Sequence, residues 1–424
     1  MRDDPLQDRR EGERHQMRSE RIVRLPYLHD HHSHVSLYAS FEGLPDLSGL
    51  DGKAAMNLLG GLPGDRLNLV KGWRTDRLPL GSRSAAAELV ELPPAIVVNS
   101  SLHGYALSDR ALPFVSELWP EFAEKARDPA WGERNLPRLF SFYVRVAGLD
   151  AGKLAEFMTK MEELGIGSLE DMALAGEEAL AVESGSPFAG RILSWATPEV
   201  YRSLSEGSRR SCAGIKIFLD GSLGARTAAL DEAFSGGEAG SLVYDNEELS
   251  ALLAEIASFR TGIAMHAIGH SAIAQALRCL EVSRRDGVEF PSVRLEHVQF
   301  ISLEQARSCK DSGIILSMQP NFNADSSDYA DRLCPRHRAE NDPFRMLIDE
   351  AGFVPGGDLL FGSDGMPHGP EFALRWGFFP SFGGQILTFG EFEAGYGAAQ
   401  GMKGEGSVFA VDGEARTVRR IGRG

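Results

Sequence analysis

The feature that most constrains the fold is a series of short apolar runs, each of which ends in a polar side chain. Five such runs occur in the second half of the chain, separated by segments of helical character: GIKIFLD (214–220), GIAMHAIG (262–269), VRLEH (293–297), GIILSMQP (313–320) and DLLFGSD (358–364). Near-continuous apolar runs that alternate with helices are typical of parallel strands buried on both faces. The pattern therefore predicts an α/β fold, a (β/α)8 TIM barrel, whose active site lies at the carboxyl ends of its strands.

A further run near the start, LPYLHDHHSH (25–34), contains two histidines separated by one residue. In an extended segment, residues two apart project from the same face, so His32 and His34 point together and two imidazoles can bind one ion. Neutral imidazole is a common ligand for zinc. Asp30 shares that face and is predicted to orient a ligand from behind. A run of surface histidines is the alternative interpretation.

The strand-end residues of the later runs extend this candidate metal site. His266 and His297 end adjacent predicted strands, and together with the two earlier histidines they favour metal binding over separate structural roles. Lys216 alternates with apolar neighbours and is predicted to face the barrel interior, where an unpaired ammonium is costly; a solvated lysine is the alternative. Asp364 lies at a strand-to-loop junction, where a helix-capping or turn aspartate is also common.

These residues, taken together with longer sequence blocks, resemble the amidohydrolase superfamily of metal-dependent hydrolases, and in detail its amidohydrolase-3 (YtcJ-like) branch. The blocks occur in the order of that branch, and the resemblance runs from about residue 26 to about residue 370. They are KIFLDGSLGARTAAL (216–230), HAIG (266–269), RLEHVQF (294–300), SMQPNF (317–322) and FGSDGMP (361–367). Their combination is highly specific, whereas no single block would be.

The resemblance implies a hydrolase that cleaves a C–N bond in an amide, formamide or cyclic amide by means of a metal-activated hydroxide. It implies one or two divalent ions, zinc being the expected metal, and carboxylation of Lys216 where two ions are bound. Asp364 would act as general base and then general acid. The implied metal ligands are His32, His34, Lys216, His266, His297 and Asp364.

Two alternatives stay open on the sequence. One is a mononuclear, deaminase-like enzyme that uses His32, His34, His266 and Asp364 and leaves Lys216 unmodified. The other is a non-hydrolytic descendant, a lyase or isomerase, or an inactive one. It is suggested by His270, which stands where the branch usually has aspartate, and by the short ends of the chain. His270 is grouped with Asp30 as a residue that supports the ligands.

The substrate pocket is predicted from a long insertion after the first barrel strand, at about residues 40–160. Its segments 69–80 and 99–112 resemble regions that shape the pocket in the branch, which places Trp73 and His103 there. A packing role for Trp73 and a structural or surface role for His103 are the alternatives. Arg226 either anchors a substrate oxygen or pairs with Asp220. Gln319 is grouped with the substrate-binding residues.

Composition and charge limit which partners and which cellular location are expected. A net charge of −16 argues against nucleic-acid binding. Four cysteines without a CxxC pair favour reduced thiols in a cytoplasmic protein. The sequence shows neither the apolar leader that would predict secretion nor an apolar run long enough to predict a membrane span. The expected partner is a small-molecule substrate. A homodimer is compatible with the sequence, but the sequence does not establish it.

Three parts of the chain are predicted. Residues 1–20 form a disordered polar leader. Residues 21–375 form the barrel, including the insertion. Residues 376–424 form a C-terminal segment with residual strands. The two ends together are expected to make only a curtailed version of the small β-sandwich that family members carry, with ERIVRLP (20–26) and GSVFAVDGEARTVRRI (406–421) as its strand candidates.

Overall fold

The computed structural model describes residues 20–73, 92–100 and 102–423. The predicted polar leader, apart from Glu20, lies outside these residues, as do residues 74–80 of the predicted pocket segment 69–80.

The described residues form fourteen β-strands. In chain order they are β1 (Arg21–Pro26), β2 (Leu28–Ser33), β3 (Asn68–Trp73), β4 (Ala95–Asn99), β5 (Tyr105–Leu107), β6 (Ile166–Leu174), β7 (Ile192–Ala196), β8 (Gly214–Phe218), β9 (Gly262–Ala267), β10 (Val293–His297), β11 (Ile315–Met318), β12 (Leu359–Phe361), β13 (Glu405–Asp412) and β14 (Thr417–Gly422).

The α-helices of the described residues lie mostly between these strands. They are α1 (Val35–Ser40), α2 (Gly52–Gly60), α3 (Leu112–Leu118), α4 (Pro120–Lys125), α5 (Pro129–Arg134), α6 (Leu136–Ala147), α7 (Ala151–Leu164), α8 (Glu177–Ser184), α9 (Pro198–Ser203), α10 (Glu206–Ser211), α11 (Asn246–Ser258), α12 (His270–Arg285), α13 (Leu303–Asp311), α14 (Asp325–Asp328), α15 (Pro335–Glu340), α16 (Pro370–Phe378) and α17 (Phe389–Tyr396). No described helix has both the length and the apolar character needed to cross a membrane.

Eight of the strands form one parallel sheet in the order β2-β6-β7-β8-β9-β10-β11-β12. Its two edges meet just after β12, where the backbone N–H of Asp364 donates to the carbonyl oxygen of His32 at 2.7 Å. Beside that bond, the Ser363 N–H donates to the Asp30 carboxylate at 2.9 Å. These bonds bring the edges of the sheet together into a nearly closed barrel, and the predicted (β/α)8 fold is confirmed.

The alternation of side chains explains how the barrel strands expose polar groups to its interior. On β8, Ile215 and Ile217 are buried in the main hydrophobic core, while Lys216 projects to the other face of the strand. Helix α11 begins at a capping box, in which the Asp245 side chain accepts the N–H of Glu248 and the Glu248 side chain accepts the N–H of Asp245.

The insertion after the first barrel strand forms its own small sheet, in which β3 pairs parallel with β4 and β4 pairs antiparallel with β5. Helices α2 to α6 belong to the same segment. One of its hydrophobic clusters includes Phe41, Phe140 and Phe218, the last of which ends strand β8. Through this contact the insertion packs against the end of the barrel at which the polar strand-end residues lie.

The two ends of the described chain meet in a three-stranded antiparallel sheet, in the order β1-β13-β14. Strand β1 lies within the candidate segment 20–26, and β13 and β14 match the candidate segment 406–421 to within one residue at each end. Buried residues of β13, such as Phe409 and Val411, join the main hydrophobic core. This sheet is the small terminal unit that the sequence predicted, and it packs on the barrel beside α7.

Candidate metal centre

The carboxyl ends of the barrel strands bring together the side chains that the sequence marked as metal ligands. The central cluster consists of His32, His34, Lys216, His266, His297 and Asp364. Ligand atoms of His32, His297 and Asp364 all lie within 4.8 Å of one another. The six residues are buried, none being more than 8% exposed. Barrel topology thus unites residues that are more than 300 positions apart in the chain.

The two early histidines occupy the end of β2 and the turn into α1. The Nδ1 atom of His32 lies 2.5 Å from the Glu296 carboxylate. This contact leaves Nε2 of His32 for the cluster, where it is 3.7 Å from Oδ1 of Asp364. Nε2 of His34 is 3.1 Å from the same oxygen, and Nδ1 of His34 has no hydrogen-bond partner in the described structure.

His266 and His297 complete a row of imidazoles along the ends of β9 and β10. The centroids of their rings are 4.5 Å apart, and the His297 ring is 4.7 Å from that of His32. Nδ1 of His297 lies 2.7 Å from Oε1 of Gln319, which fixes the orientation of the ring. Nε2 of His266 lies 3.1 Å from the carbonyl oxygen of Gly221. The Gln319 contact leaves Nε2 of His297 for a ligand.

Lys216 and Asp364 each place in the cluster a buried polar atom without a hydrogen bond in the described structure. Nζ of Lys216 and Oδ1 of Asp364 form no hydrogen bond with any described residue. Nζ of Lys216 lies 5.2 Å from the centroid of the Phe218 ring. A buried charged group without a partner is costly. These atoms are therefore where the structure leaves room for a further group.

Electrostatics keep the imidazoles in the form that binds metals. Burial, followed by the positive charge of Lys216 or of a neighbouring imidazole, lowers the pKa of His32, His266 and His297 well below its usual value. Burial also lowers the pKa of Lys216 to about 8. A neutral imidazole offers a lone pair to an ion. The donor set and its unpartnered buried atoms fit a divalent metal ion.

A buried ionic network in the barrel interior supports the central cluster from below. Arg294 donates to Glu296 through Nε and to Glu170 through Nη1, the latter at 2.8 Å. Trp195 also donates to Glu170, at 2.7 Å. Burial opposes the ionisation of Glu170, but Arg294 and hydrogen bonds from His29 and His31 outweigh it and hold its pKa well below the usual range. Glu296 thus connects this network to His32.

Sequence reasoning missed the network, although a signal was present. Arg294 and Glu296 lie two residues apart on β10, just before His297. The alternation that predicts an inward-facing Lys216 therefore predicts that these two side chains face the interior as well. Asp30, in contrast, was among the residues that the sequence proposed as supports of the ligands, and it contacts one of them. Its carboxylate accepts the N–H of His32 at 3.1 Å and the hydroxyl of Ser363 at 2.5 Å. Burial raises the pKa of Asp30 to about 6.

A cavity of about 800 Å³ opens above the central cluster. Its lining includes His266 and Asp364 from the cluster and His103 from the insertion. Nδ1 of His103 lies 3.0 Å from the Glu133 carboxylate, which also accepts the hydroxyl of Thr227 at 2.7 Å. Burial alone would lower the pKa of His103, but the Glu133 charge and hydrogen bond outweigh it and raise the pKa. The His103 ring lies beside that of His266, with the two centroids 5.5 Å apart.

Three residues grouped with the substrate pocket lie outside the residues that line this cavity. Trp73 packs in a separate hydrophobic cluster with Leu59, Val70 and Val97, which matches its alternative interpretation. Gln319 instead holds the ring of His297. Arg226 donates to Glu238 at 3.2 Å, with Asp331 at 3.5 Å.

The pairing of Arg226 with Asp220 does not occur. The Asp220 carboxylate instead accepts backbone N–H groups of Ala229, Ile268 and Gly269, at 2.8–3.0 Å. The left-handed backbone of Arg226, with φ of 60°, belongs to the turn that directs its side chain to Glu238. Arg226 is thus neither a cavity residue nor a partner of Asp220.

His270 lies apart from the central cluster. It is the first residue of α12, and its ring packs against Phe300 and His337. Its ionic neighbours are Asp231 and Glu340, at 3.5 and 3.6 Å. Among the described residues, no contact of His270 with the metal ligands supports its predicted role.

Comparison with known proteins identifies the class. The chain belongs to the amidohydrolase family, whose amidohydrolase-3 model matches residues 153–370, about half of the chain. This confirms the resemblance found in the sequence blocks.

Individual relatives share shorter stretches. YtcJ of Bacillus subtilis (strain 168), whose name calls it an amidohydrolase, is 30% identical over 151 residues, which cover 34% of this chain and 27% of that protein. LONG AFTER FAR-RED 3 of Arabidopsis thaliana is 29% identical over 134 residues, which cover 31% and 23%. The chain thus matches about a quarter of the length of these curated relatives.

Two solved structures share the fold. An uncharacterized metal-dependent hydrolase from Pyrococcus furiosus is 21% identical, with a TM-score of 0.63 that covers 99% of this chain and 90% of that one. An uncharacterized metal-dependent hydrolase from Pyrococcus horikoshii OT3 is 22% identical, with a TM-score of 0.57 and coverage of 84% and 74%. At these identities the likeness is one of fold.

Proposed function

We propose that the chain is a metal-dependent hydrolase that cleaves the C–N bond of an amide, formamide or cyclic amide. The observation that carries this proposal is the convergence of six buried side chains, with unpartnered nitrogen and oxygen atoms among them, at the floor of a cavity. Family membership supports the reaction class. Zinc is the expected metal because imidazole and carboxylate ligands at strand ends suit it.

The ligands of the first ion would be Nε2 of His32, the imidazoles of His34, His266 and His297, and the Asp364 carboxylate. A divalent ion bound at such a site acidifies a water molecule and polarises a carbonyl oxygen. Glu296 and Gln319 keep the rings of His32 and His297 in their orientations. Such partners also raise the basicity of the ligating nitrogen.

Asp364 is the residue that would move the proton. Its Oδ1 has no hydrogen-bond donor in the described structure, and the residue lines the cavity. A carboxylate in this position can accept a proton from the attacking water and then deliver it to the leaving nitrogen. His103, which lines the cavity and is held by Glu133, would hydrogen-bond to the substrate.

Lys216 decides between one and two ions. Its amine is fully buried and has no acceptor among the described residues, a situation that carboxylation would relieve by replacing an ammonium with a carbamate. A carbamate adds two ligand oxygens and so allows a second ion. The mononuclear, deaminase-like alternative leaves the amine unmodified. Metal content per chain, together with intact mass under non-denaturing conditions, distinguishes the two.

A panel of amides, N-formyl compounds and cyclic amides tests the reaction itself. The zinc-loaded protein is expected to hydrolyse at least one of these classes, and Asp364→Asn should lower that turnover by about 10²- to 10⁴-fold while most of the metal is retained. If the fully loaded protein hydrolyses none of the three classes, the proposed bond specificity is wrong. The metal content of the same protein would still show whether the central cluster binds an ion.

A further inference from the structure

A second group of potential ligands lies outside the central cluster. The rim cluster consists of Asp231, His270 and His337. Asp231 belongs to the loop after β8, His270 begins α12, and His337 lies in α15. One ligand atom from each residue lies within 4.8 Å of the others. Nothing in the proposed hydrolysis uses these three side chains.

The geometry of the rim cluster is that of a three-ligand site. Oδ1 of Asp231 is 2.8 Å from Nε2 of His337 and 3.5 Å from Nδ1 of His270. Nδ1 of His270 is buried and has no hydrogen-bond partner in the described part of the chain. Two imidazoles and one carboxylate around a common point are a usual ligand set for zinc and its neighbours in the transition series.

The surroundings of His270 also resemble those of a metal ligand. Its other nitrogen, Nε2, faces the Glu340 carboxylate at 3.6 Å. A carboxylate on the far nitrogen orients a ligating imidazole and raises its basicity. The ring of Phe300 packs against both imidazoles, with centroid distances of 5.3 Å to His270 and 5.6 Å to His337. The two rings are thereby held in place from one side.

Arg336 occupies the space between the ligands. Its Nη2 lies 2.8 Å from Oδ1 of Asp231 and 2.9 Å from Nε2 of His337. Arginine only donates hydrogen bonds and an ionised carboxylate only accepts them. Nε2 of His337 cannot both accept from Arg336 and donate to Asp231, so one of the three contacts is unsatisfied. A positive charge thus already sits where a cation would bind.

We propose that the rim cluster is a second binding site for a divalent transition metal, Zn²⁺ or Co²⁺, for which Arg336 is the internal competitor. Arg336 is 38% exposed and also contacts Glu232 and Glu340, so it can leave the site while keeping a carboxylate partner. The ion would bind Asp231, His270 and His337, and water would complete its coordination.

Such an ion would connect segments that form the wall of the cavity. Residues 222–224, which precede Asp231 in its loop, line the cavity, and so do Tyr329 and Arg332, which precede α15. Binding at the rim cluster would tie this loop and α15 to the start of α12. The expected consequence is a higher thermal stability in the presence of the ion, because an ion bound only by the folded state stabilises it.

Cobalt titration of the full chain tests the site. The protein is stripped of metal, Co²⁺ alone is added, and the visible absorption of the bound ion is followed. The double variant His32→Ala/His34→Ala disables the central cluster and is expected to retain one equivalent of Co²⁺. Adding His337→Ala to that variant should remove this equivalent. Retention of the same equivalent without His337, or no binding in the double variant, would overturn the proposal.

Arg336→Ala provides a test that does not depend on the central cluster. Its removal should tighten the binding of one Co²⁺ by about tenfold, which corresponds to the loss of one competing charge-assisted hydrogen bond. Arg285→Ala is the matched control, since Arg285 is an exposed arginine that pairs with Glu281 on α12. Equal affinities for the Arg336 variant, the control and the unmodified chain would show that Arg336 does not compete with an ion.

Discussion

The central and rim clusters use similar side chains in contrasting surroundings. In the central cluster every ligand is buried and several atoms have no partner in the described structure. In the rim cluster Asp231 is 42% exposed and is paired with Arg336. Burial without partners makes the central cluster depend on a bound ion, because the unmet charges cannot be solvated. The rim cluster is already neutralised, so an ion there has to displace a charge.

The two clusters also differ in what holds their residues. Central residues stand at the ends of parallel strands, where the barrel fixes their spacing. Rim residues come from a loop, the first residue of α12 and the six-residue helix α15. The comparison predicts that substitutions at the central cluster have larger effects on metal binding and turnover than the equivalent substitutions at the rim.

The largest expected effect is that of truncating a central histidine. His32→Ala should lower kcat/KM by more than about 10⁴-fold, because it removes a ligand of the ion that activates water. His270→Ala, the corresponding truncation at the rim, should leave kcat/KM within about threefold, since His270 is not among the described residues that line the cavity. Steady-state kinetics of both variants check this, and a similar loss in both would remove the functional distinction between the clusters.

Replacing the carboxylate of Asp364 should separate metal binding from turnover. Asp364→Asn keeps the size of the side chain and removes its basicity, so kcat is expected to fall by about 10²- to 10⁴-fold. Metal content, measured by elemental analysis of the same sample, should stay close to that of the unmodified protein. A variant that retains its metal and its full kcat would show that Asp364 does not transfer the proton.

The network below the central cluster should tune affinity rather than abolish it. Glu296→Gln keeps a hydrogen-bonding side chain beside His32 but removes the charge, and metal affinity is expected to fall by about 10- to 100-fold. The analogous change at the rim, Glu340→Gln, should leave the central ion unaffected. Competition with a chromogenic chelator measures both affinities. An unchanged affinity in Glu296→Gln would mean that Glu296 only balances the charge of Arg294.

The smallest effect concerns stability and uses a buried acid that belongs to neither cluster. Asp342 is fully buried, its carboxylate oxygens have no partner in the described structure, and burial, with the negative charge of Asp325, raises its pKa well above the usual value. The folded protein therefore retains a proton that the unfolded chain loses above about pH 3.9. The free energy of unfolding should consequently decrease as the pH rises above about 3.9.

Asp342→Asn should remove that decrease. Asparagine tolerates the left-handed backbone at this position, where φ is 48°, and cannot ionise. The variant is expected to be more stable than the unmodified protein at pH 8, by about 1–3 kcal/mol, and nearly equal to it at pH 4. Urea unfolding at the two pH values measures the difference. The exposed Asp286→Asn is the control, and an equal gain at both pH values would contradict the explanation.

Much of the fold was predictable because the barrel strands follow a simple pattern. Runs such as GIKIF (214–218) and GIAMHA (262–267) are apolar enough to be buried on both faces, and they end in residues that barrel topology gathers at one end. The terminal strands could also be predicted from their local sequence. The insertion was less predictable, since the pairing of β3 with β4 depends on long-range packing and not on local periodicity.

The site was predictable where a strand fixed the side-chain direction and less so where a loop or helix start did. His266 and His297 end strands, so their convergence followed from topology. His270 comes only four residues after His266, but it is the first residue of α12, and its ring packs against Phe300 and His337. The partners of Arg226 likewise depend on a turn that brings Glu238 and Asp331 close. Contacts between loops of this kind leave no periodic signal in a sequence.

The most direct test of the central claim is anomalous X-ray scattering from crystals of the protein grown with zinc. A strong peak is expected among His32, His34, His266, His297 and Asp364, at the floor of the cavity. Zinc-loaded crystals with no anomalous peak among these residues would contradict that claim.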